Sequence, residues 1–159
     1  MSIGVAQPKY CFGLKGDVAN NVWYLDEQNI LYPSGANLII FNVDQKVQKF
    51  ISSSAGSEGM TAMAVSPNRR YTAVAEKKAE KPAITIYDLT TLRRRKVLST
   101  LECTSQEFVS LAFSPDSKYL ISQLGAPDWT LTYWHWEKSR VMASTKSNGA
   151  TNYHVHQVW

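Results

Sequence analysis

Apolar and polar positions alternate along this chain in short stretches, with turn-forming residues between them. In Ile84-Thr85-Ile86-Tyr87 and Leu131-Thr132-Tyr133-Trp134, a threonine separates bulky apolar side chains. A period of two describes a strand whose two faces meet different surroundings. Such runs recur every eight to twelve residues, punctuated by Gly, Pro, Asn and Asp, so an all-β fold is predicted. The predicted strands fall into three sets of four. Inner strands cover 22–25, 62–65 and 111–113, and second strands cover 30–32, 71–75 and 119–122. Third strands cover 38–43, 84–89 and 131–136, and fourth strands cover 48–52, 96–101 and 140–145.

The sets are copies of one another. LIIFNV, ITIYDL and LTYWHW begin at Leu38, Ile84 and Leu131, which are 46 and then 47 residues apart. MTAMAVSPNRRYTAVAE aligns with FVSLAFSPDSKYLISQ, matching Ser66-Pro67 to Ser114-Pro115. A period in the forties, with a Ser-Pro turn and an aromatic-Asp pair, predicts a WD40-type β-propeller of about four antiparallel strands per blade. Residues 17–53, 57–102 and 105–146 are then three blades, and 153–159 is the first strand of an incomplete one. Residues 9–13 are predicted to be a closing strand, which would remove a free sheet edge. The SSSAGSEG run over 52–59 reads as a flexible crossover. Three blades and one strand cannot close a ring, so a partial propeller is expected, an open arc with exposed edges that favour self-association.

Composition fits this picture. The 159 residues suffice for one domain, and a content of 44% hydrophobic and 19% charged residues is that of a globular chain. Aromatic residues make up 11%, which suits sheets. A net charge of +4 permits an acidic partner without requiring one. Cys11 and Cys103 lie far apart, with no CxxC, so a reducing compartment is expected rather than a disulfide framework. The N-terminus lacks an apolar signal region, and Ser2 follows Met1, so neither secretion nor myristoylation is expected. No apolar run approaches the ~18 residues that cross a bilayer. The chain is expected to be intracellular and soluble.

Candidate chemistry is sparse. There is no G-x-S-x-G, P-loop or H-E-x-x-H motif, and Gly13-Leu14-Lys15-Gly16 is too short to cradle phosphate. His154 and His156 would share one side of a strand, but no further ligand stands near them. Catalytic, cofactor-binding and metal residues are therefore expected to be none. Ser66, Pro67, Ser114 and Pro115 are read as turn residues, a role that explains the Ser-Pro pairs without kinase recognition. In Tyr87-Asp88 and Trp134-His135, as in Phe41-Asn42, the aromatic is expected between blades and the polar residue at a turn. Arg93, Arg94, Arg95 and Lys96 are expected on an exposed hairpin and are the main candidates for contact with a partner; Arg69 and Arg70 form a shorter candidate. No aromatics interleave with these charges, which argues against stacking on single-stranded nucleic acid.

Several runs go beyond generic repeat character: VANN from Val18, LDEQNILYPSG from Leu25, NVDQKVQKFI from Asn42, EKPAITIYDL from Glu80 and FVSLAFSPDSKYL from Phe108. With SPNRRY, RRKVL and WEK, they make the chain resemble the cilia- and flagella-associated protein 57 family of WD-repeat proteins, in the N-terminal part of the first propeller, from about residue 7 to 138. The resemblance implies a non-enzymatic scaffold of the motile-cilium axoneme, involved in docking or regulating inner-arm dyneins on doublet microtubules. It implies inner-arm dynein subunits and doublet microtubule-associated proteins as partners, with an acidic tubulin surface as a further one. It implies no cofactor, nucleic acid, membrane or small-molecule substrate, and a location in the cytoplasm, cytoskeleton and ciliary axoneme. Family members carry a long coiled coil, and this chain shows no heptads, so dimerisation through such a coil is not expected of it. Two alternatives remain. One is a generic intracellular WD-repeat adaptor of a multiprotein complex. The other is an enzyme using a propeller face, which would need converging acids and histidines that the repeat loops do not offer.

Overall fold

The computed structural model describes residues 9–100 and 102–147. These residues form three antiparallel meanders of four strands each. The first contains β1 (Trp23–Tyr24), β2 (Asn29–Ser34), β3 (Asn37–Asn42) and β4 (Val47–Ser52). The second contains β5 (Ser57–Val65), β6 (Tyr71–Lys78), β7 (Ala83–Asp88) and β8 (Arg93–Ser99). The third contains β9 (Phe108–Phe113), β10 (Tyr119–Leu124), β11 (Thr130–His135) and β12 (Arg140–Lys146), with a 3-10 turn at Trp136–Lys138 between the last two. This is the architecture of a partial WD40-type propeller: successive blades, each with its first strand innermost and its fourth strand outermost.

The period-two pattern decides which side chains meet. Leu31, Leu38, Ile40 and Ile51 of the first sheet are buried with Met63, Val65, Val74 and Tyr87 of the second. The opposite face of the second sheet, with Ala73, Ala75, Ile84, Ile86 and Leu98, is buried with Phe108, Phe113, Leu120, Trp134 and Trp136 of the third. Small alanines on one sheet leave room for two indoles on the other, as close packing of facing layers requires. Both indoles also satisfy their polar atom. Trp134 Nε1 donates to Ser122 Oγ at 2.8 Å, and Trp136 Nε1 donates to the Ser117 carbonyl at 2.8 Å.

The Ser-Pro turns are the same device used twice. Ser66 Oγ donates to Asn68 Oδ1 and accepts from the Tyr71 N–H at 2.9 Å. Ser114 Oγ likewise donates to Asp116 Oδ1 and accepts from the Tyr119 N–H at 2.9 Å. The first repeat has no proline there; Asp26 Oδ1 accepts from the N–H groups of Gln28 and Asn29, both at 2.8 Å. The aromatic-Asp position behaves similarly: Asp88 Oδ1 accepts from Thr90 and Thr91, and Asn42 Oδ1 from Asp44 and Gln45. His135 departs from this role. A 3-10 turn follows it, closed by the Ser139 N–H on the Trp136 carbonyl. Its ring lies edge-on to Tyr119 at 5.2 Å, and its Nδ1 has no hydrogen-bond partner among the described residues.

Several strand limits differ from expectation. The crossover read over 52–59 shortens to 53–56, because Ser57 and Gly59 already pair with Lys78 and Lys77 across a bulge. Pro33 and Ser34 belong to β2, not to a loop, and the turn uses Gly35 in the left-handed region at φ 57°. Arg93 to Lys96 lie within β8 itself, not in the hairpin before it. Residues 9–13 are not a strand. They cross the first sheet through side chains instead: the Cys11 N–H donates to Gln48 Oε1 at 2.7 Å, Gln48 Nε2 donates back to the Cys11 carbonyl, and Ser34 Oγ donates to the Phe12 carbonyl. Gln48 and Ser34, polar residues on a sheet face that also carries Tyr32, Phe41 and Phe50, draw the segment across that face rather than along an edge. The strand expected at 153–159 lies outside the described residues.

The crossovers are pinned by carboxylates. Buried Glu76 accepts from Ser54 N–H, Ser54 Oγ and Thr85 Oγ1 at 2.6 to 2.8 Å. Asp128 accepts from the N–H and hydroxyl groups of both Thr104 and Ser105 at 2.6 to 3.1 Å. The Ser105 N–H, then the Thr104 hydroxyl and N–H, hold the Asp128 carboxyl down to about 2.

Two outcomes are expected. Truncating Trp134 or Trp136 to Ala should cost about 3–5 kcal/mol in urea unfolding, the range for buried aromatics; a near-neutral Trp134→Ala would mean that this indole is not part of the inter-sheet core. The Asp128 clamp should be pH-dependent. A carboxyl depressed in the native state stabilises fully above its ordinary value of 3.8 and loses that contribution as pH falls toward about 2. Asp128→Asn should therefore melt below wild type at pH 6, and the gap should close between about pH 4 and 2. A gap that stays constant would rule out an ionised clamp.

Candidate partner-binding surfaces

The outermost strand of each sheet carries exposed positive charge. Arg93, Arg94, Arg95 and Lys96 are all exposed on β8. Arg94 sits opposite Tyr87 and Lys96 opposite Ile86, with a register shift between those two partners. The bulge leaves Arg95 outside the pairing, so the four charges fan over both faces of the edge. Lys49 on β4, and Arg140 and Lys146 on β12, continue the pattern, and none of the three outer strands carries an acidic residue. Exposed Val47, Val97, Val141 and Met142 lie on the same strands. Charged edges deter indiscriminate strand addition, and apolar side chains among them add contact area for a specific partner.

The other basic pair is divided by the fold. Arg70 is committed: its Nε stands 3.4 Å from Asp88 Oδ2, and its guanidinium lies 5.3 Å from the Tyr71 ring centroid. Burial alone would push the Asp88 carboxyl up, but the N–H groups of Thr91 and Thr90 together with Arg70 hold it below the ordinary value. This is a structural pair at the end of β7. Arg69 points elsewhere. It occupies the left-handed position of the Ser66 turn, at φ 57°, and its guanidinium lies 6.0 Å from the Trp23 ring centroid. Adjacent arginines therefore serve different ends, and sequence alone does not separate them.

The repeat-signature residues are structural. Ser66 is fully buried, and its hydroxyl is engaged in the turn. Tyr87 and Trp134 lie between sheets, and burial raises the Tyr87 phenol to about 12, keeping it neutral. Pro67 and Pro115 are exposed at their turns. Trp136 is as deeply buried as Trp134 and was not singled out by the sequence. Its signal was an extra aromatic directly after the aromatic-His pair. Among the described residues, no group of three or more His, Cys, Asp or Glu side chains could hold a metal ion, and no helix is long and apolar enough to cross a membrane. His154 and His156 lie outside the described residues. Cys11 and Cys103 are free thiols.

No protein-family model matches the chain. Curated relatives do. The chain is 52% identical over 154 residues to cilia- and flagella-associated protein 57 of Mus musculus, covering 96% of this chain and 12% of the relative. It is 33% identical to cilia- and flagella-associated protein 57 C of Tetrahymena thermophila, over 87% of this chain and 11% of the relative. It is 29% identical to mouse cilia- and flagella-associated protein 44, over 87% of this chain and 7% of the relative. The chain thus spans about an eighth of the first relative and less of the others, and the names they share support a cilium-associated role and a ciliary location. Three blades in the repeat order read from the sequence, matched over nearly their whole length, make this chain a WD-repeat homologue of cilia- and flagella-associated protein 57.

Proposed function

We propose that this chain is a non-enzymatic scaffold segment of the motile-cilium axoneme whose outer rim docks an acidic protein surface. Residues 17–53, 57–102 and 105–146 serve as its three blades. Rigid sheets hold the rim, and variable edges and loops supply recognition. The observation that carries this reading is the sign of the rim. Seven basic residues and no acidic one lie on β4, β8 and β12, in a chain whose net charge is only +4. Like charge on the outer edges of the three sheets, four of the seven residues on β8, makes a directed electrostatic surface. Its complement in the axoneme is an inner-arm dynein subunit or a doublet microtubule-associated protein, with acidic tubulin a further candidate. The ciliary relatives support the setting.

Replacing Arg93, Arg94, Arg95 and Lys96 with Glu tests the reading. The positions are exposed, so stability should change by about 0.5 kcal/mol or less. Retention of the chain in isolated axonemes should fall, and wild-type retention should weaken as salt rises, since exposed charges are screened over about 8–10 Å at physiological ionic strength. Normal folding with normal retention would leave the basic run as a solvated edge and defeat the proposal.

A further inference from the structure

Inside the arc, the innermost strands leave a cleft of about 270 Å³. Val65 and Pro67 from the end of the second inner strand, Phe113 from the third and Trp23 from the first supply its apolar lining, and Asn20 and Arg69 add polar surface. One charge stands at its mouth, the guanidinium of Arg69 over the Trp23 ring. Trp23 is held in place by its indole N–H, which donates to the Asn20 carbonyl at 2.7 Å. Stacking on an aromatic face holds a guanidinium while leaving its planar fork of N–H donors available. Among the described residues Arg69 has no acidic partner, whereas its neighbour Arg70 is paired with Asp88.

We propose that this cleft is a peptide-binding site for an extended segment that carries a bulky apolar residue beside a carboxylate. The apolar side chain fills the space between Val65, Pro67 and Phe113, and the carboxylate takes the two-pronged face of Arg69. A cleft of about 270 Å³ has room for one bulky side chain. The charge argues for a carboxylate rather than a phosphate. A phosphate carries close to two negative charges and collects several cationic or N–H donors. Here a single guanidinium is free, because Asp88 has neutralised the other. The site is separate from the rim, so it gives the scaffold a second contact of a different kind: a short linear motif held at the inner strands, while a charged surface lies along the outer ones.

A random ten-residue peptide library displayed on phage, selected on the full chain, tests this. Selection should enrich Glu or Asp next to Leu, Ile, Phe or Trp. A synthetic peptide of the enriched sequence should lose at least tenfold in affinity when its acid is replaced by the amide. It should lose as much on Arg69→Gln, and bind Trp23→Ala more weakly. The quadruple Glu rim variant should bind it as wild type does. Arg69 is exposed on its turn, so Arg69→Gln should keep the wild-type melting temperature and remain informative even if Trp23→Ala unfolds. Three results would overturn the proposal: no enrichment above that obtained on Arg69→Gln, an enriched peptide that binds Arg69→Gln equally well, or binding that disappears with the rim charges instead.

Discussion

A four-stranded antiparallel sheet has two faces, and one of these sheets alone could bury neither. The structure depends on sheet faces meeting each other. The second sheet is the clearest case, since both its faces are covered: Met63, Val65, Val74 and Tyr87 toward the first sheet, and Ala73, Ala75, Ile84 and Ile86 toward the third. Its third strand is buried at every position. The outward faces of the flanking sheets are less covered. Tyr32, Phe41 and Phe50 on the first, and Ile121, Leu131 and Tyr133 on the third, are only half-buried. Fully burying a large apolar side chain is worth about 1.5–3 kcal/mol, so stability is concentrated where two sheets meet.

Apolar contact does not by itself fix the spacing between blades. Polar pins do. Thr61 Oγ1 donates to the Phe108 carbonyl at 2.7 Å, joining the inner strands of the second and third sheets. Ala19 exchanges backbone hydrogen bonds with Thr61 and Met63, joining the first repeat to the second. Glu76 and Asp128 tie down the crossovers that enter the second and third sheets. A buried carboxylate such as Glu76 would be costly if unpaired, but it accepts several hydrogen bonds, as does the more exposed Asp128. The crossovers are thus held at their ends rather than free to swing, and the inner strands stay close enough to frame the cleft beside Trp23.

Function follows from what the packing leaves exposed. The outer strands contribute little to the cores, with Ile51 and Leu98 as their buried anchors, and their remaining positions can carry charge at little cost to the fold. The inner strands converge and leave a small, partly apolar recess with one guanidinium. The proposed scaffold role needs surfaces that can differ in chemistry without disturbing the frame that holds them. The rim and the cleft meet that condition.

Much of the fold was legible in the residues themselves. The spacing of LIIFNV, ITIYDL and LTYWHW gives the number of blades, because each repeat is one sheet that buries a face only against its neighbour. The threonine alternation of the third strands marks their two faces, and Ser-Pro followed by Asn or Asp marks the turns. The affiliation was legible too, through runs such as DEQNILYPSG. Tertiary structure decided the rest, because each remaining question turned on contacts between residues distant in sequence. Gln48 and Ser34 draw residues 9–13 across a sheet face. Asp88 claims Arg70 and leaves Arg69 to Trp23, 46 residues away along the chain. Trp136 became a core anchor because Tyr71 and Phe113 receive it at 4.8 and 6.2 Å between ring centroids. Local pattern specifies strands and turns, which depend on neighbours in sequence; which charge is spent and which remains available depends on neighbours in space.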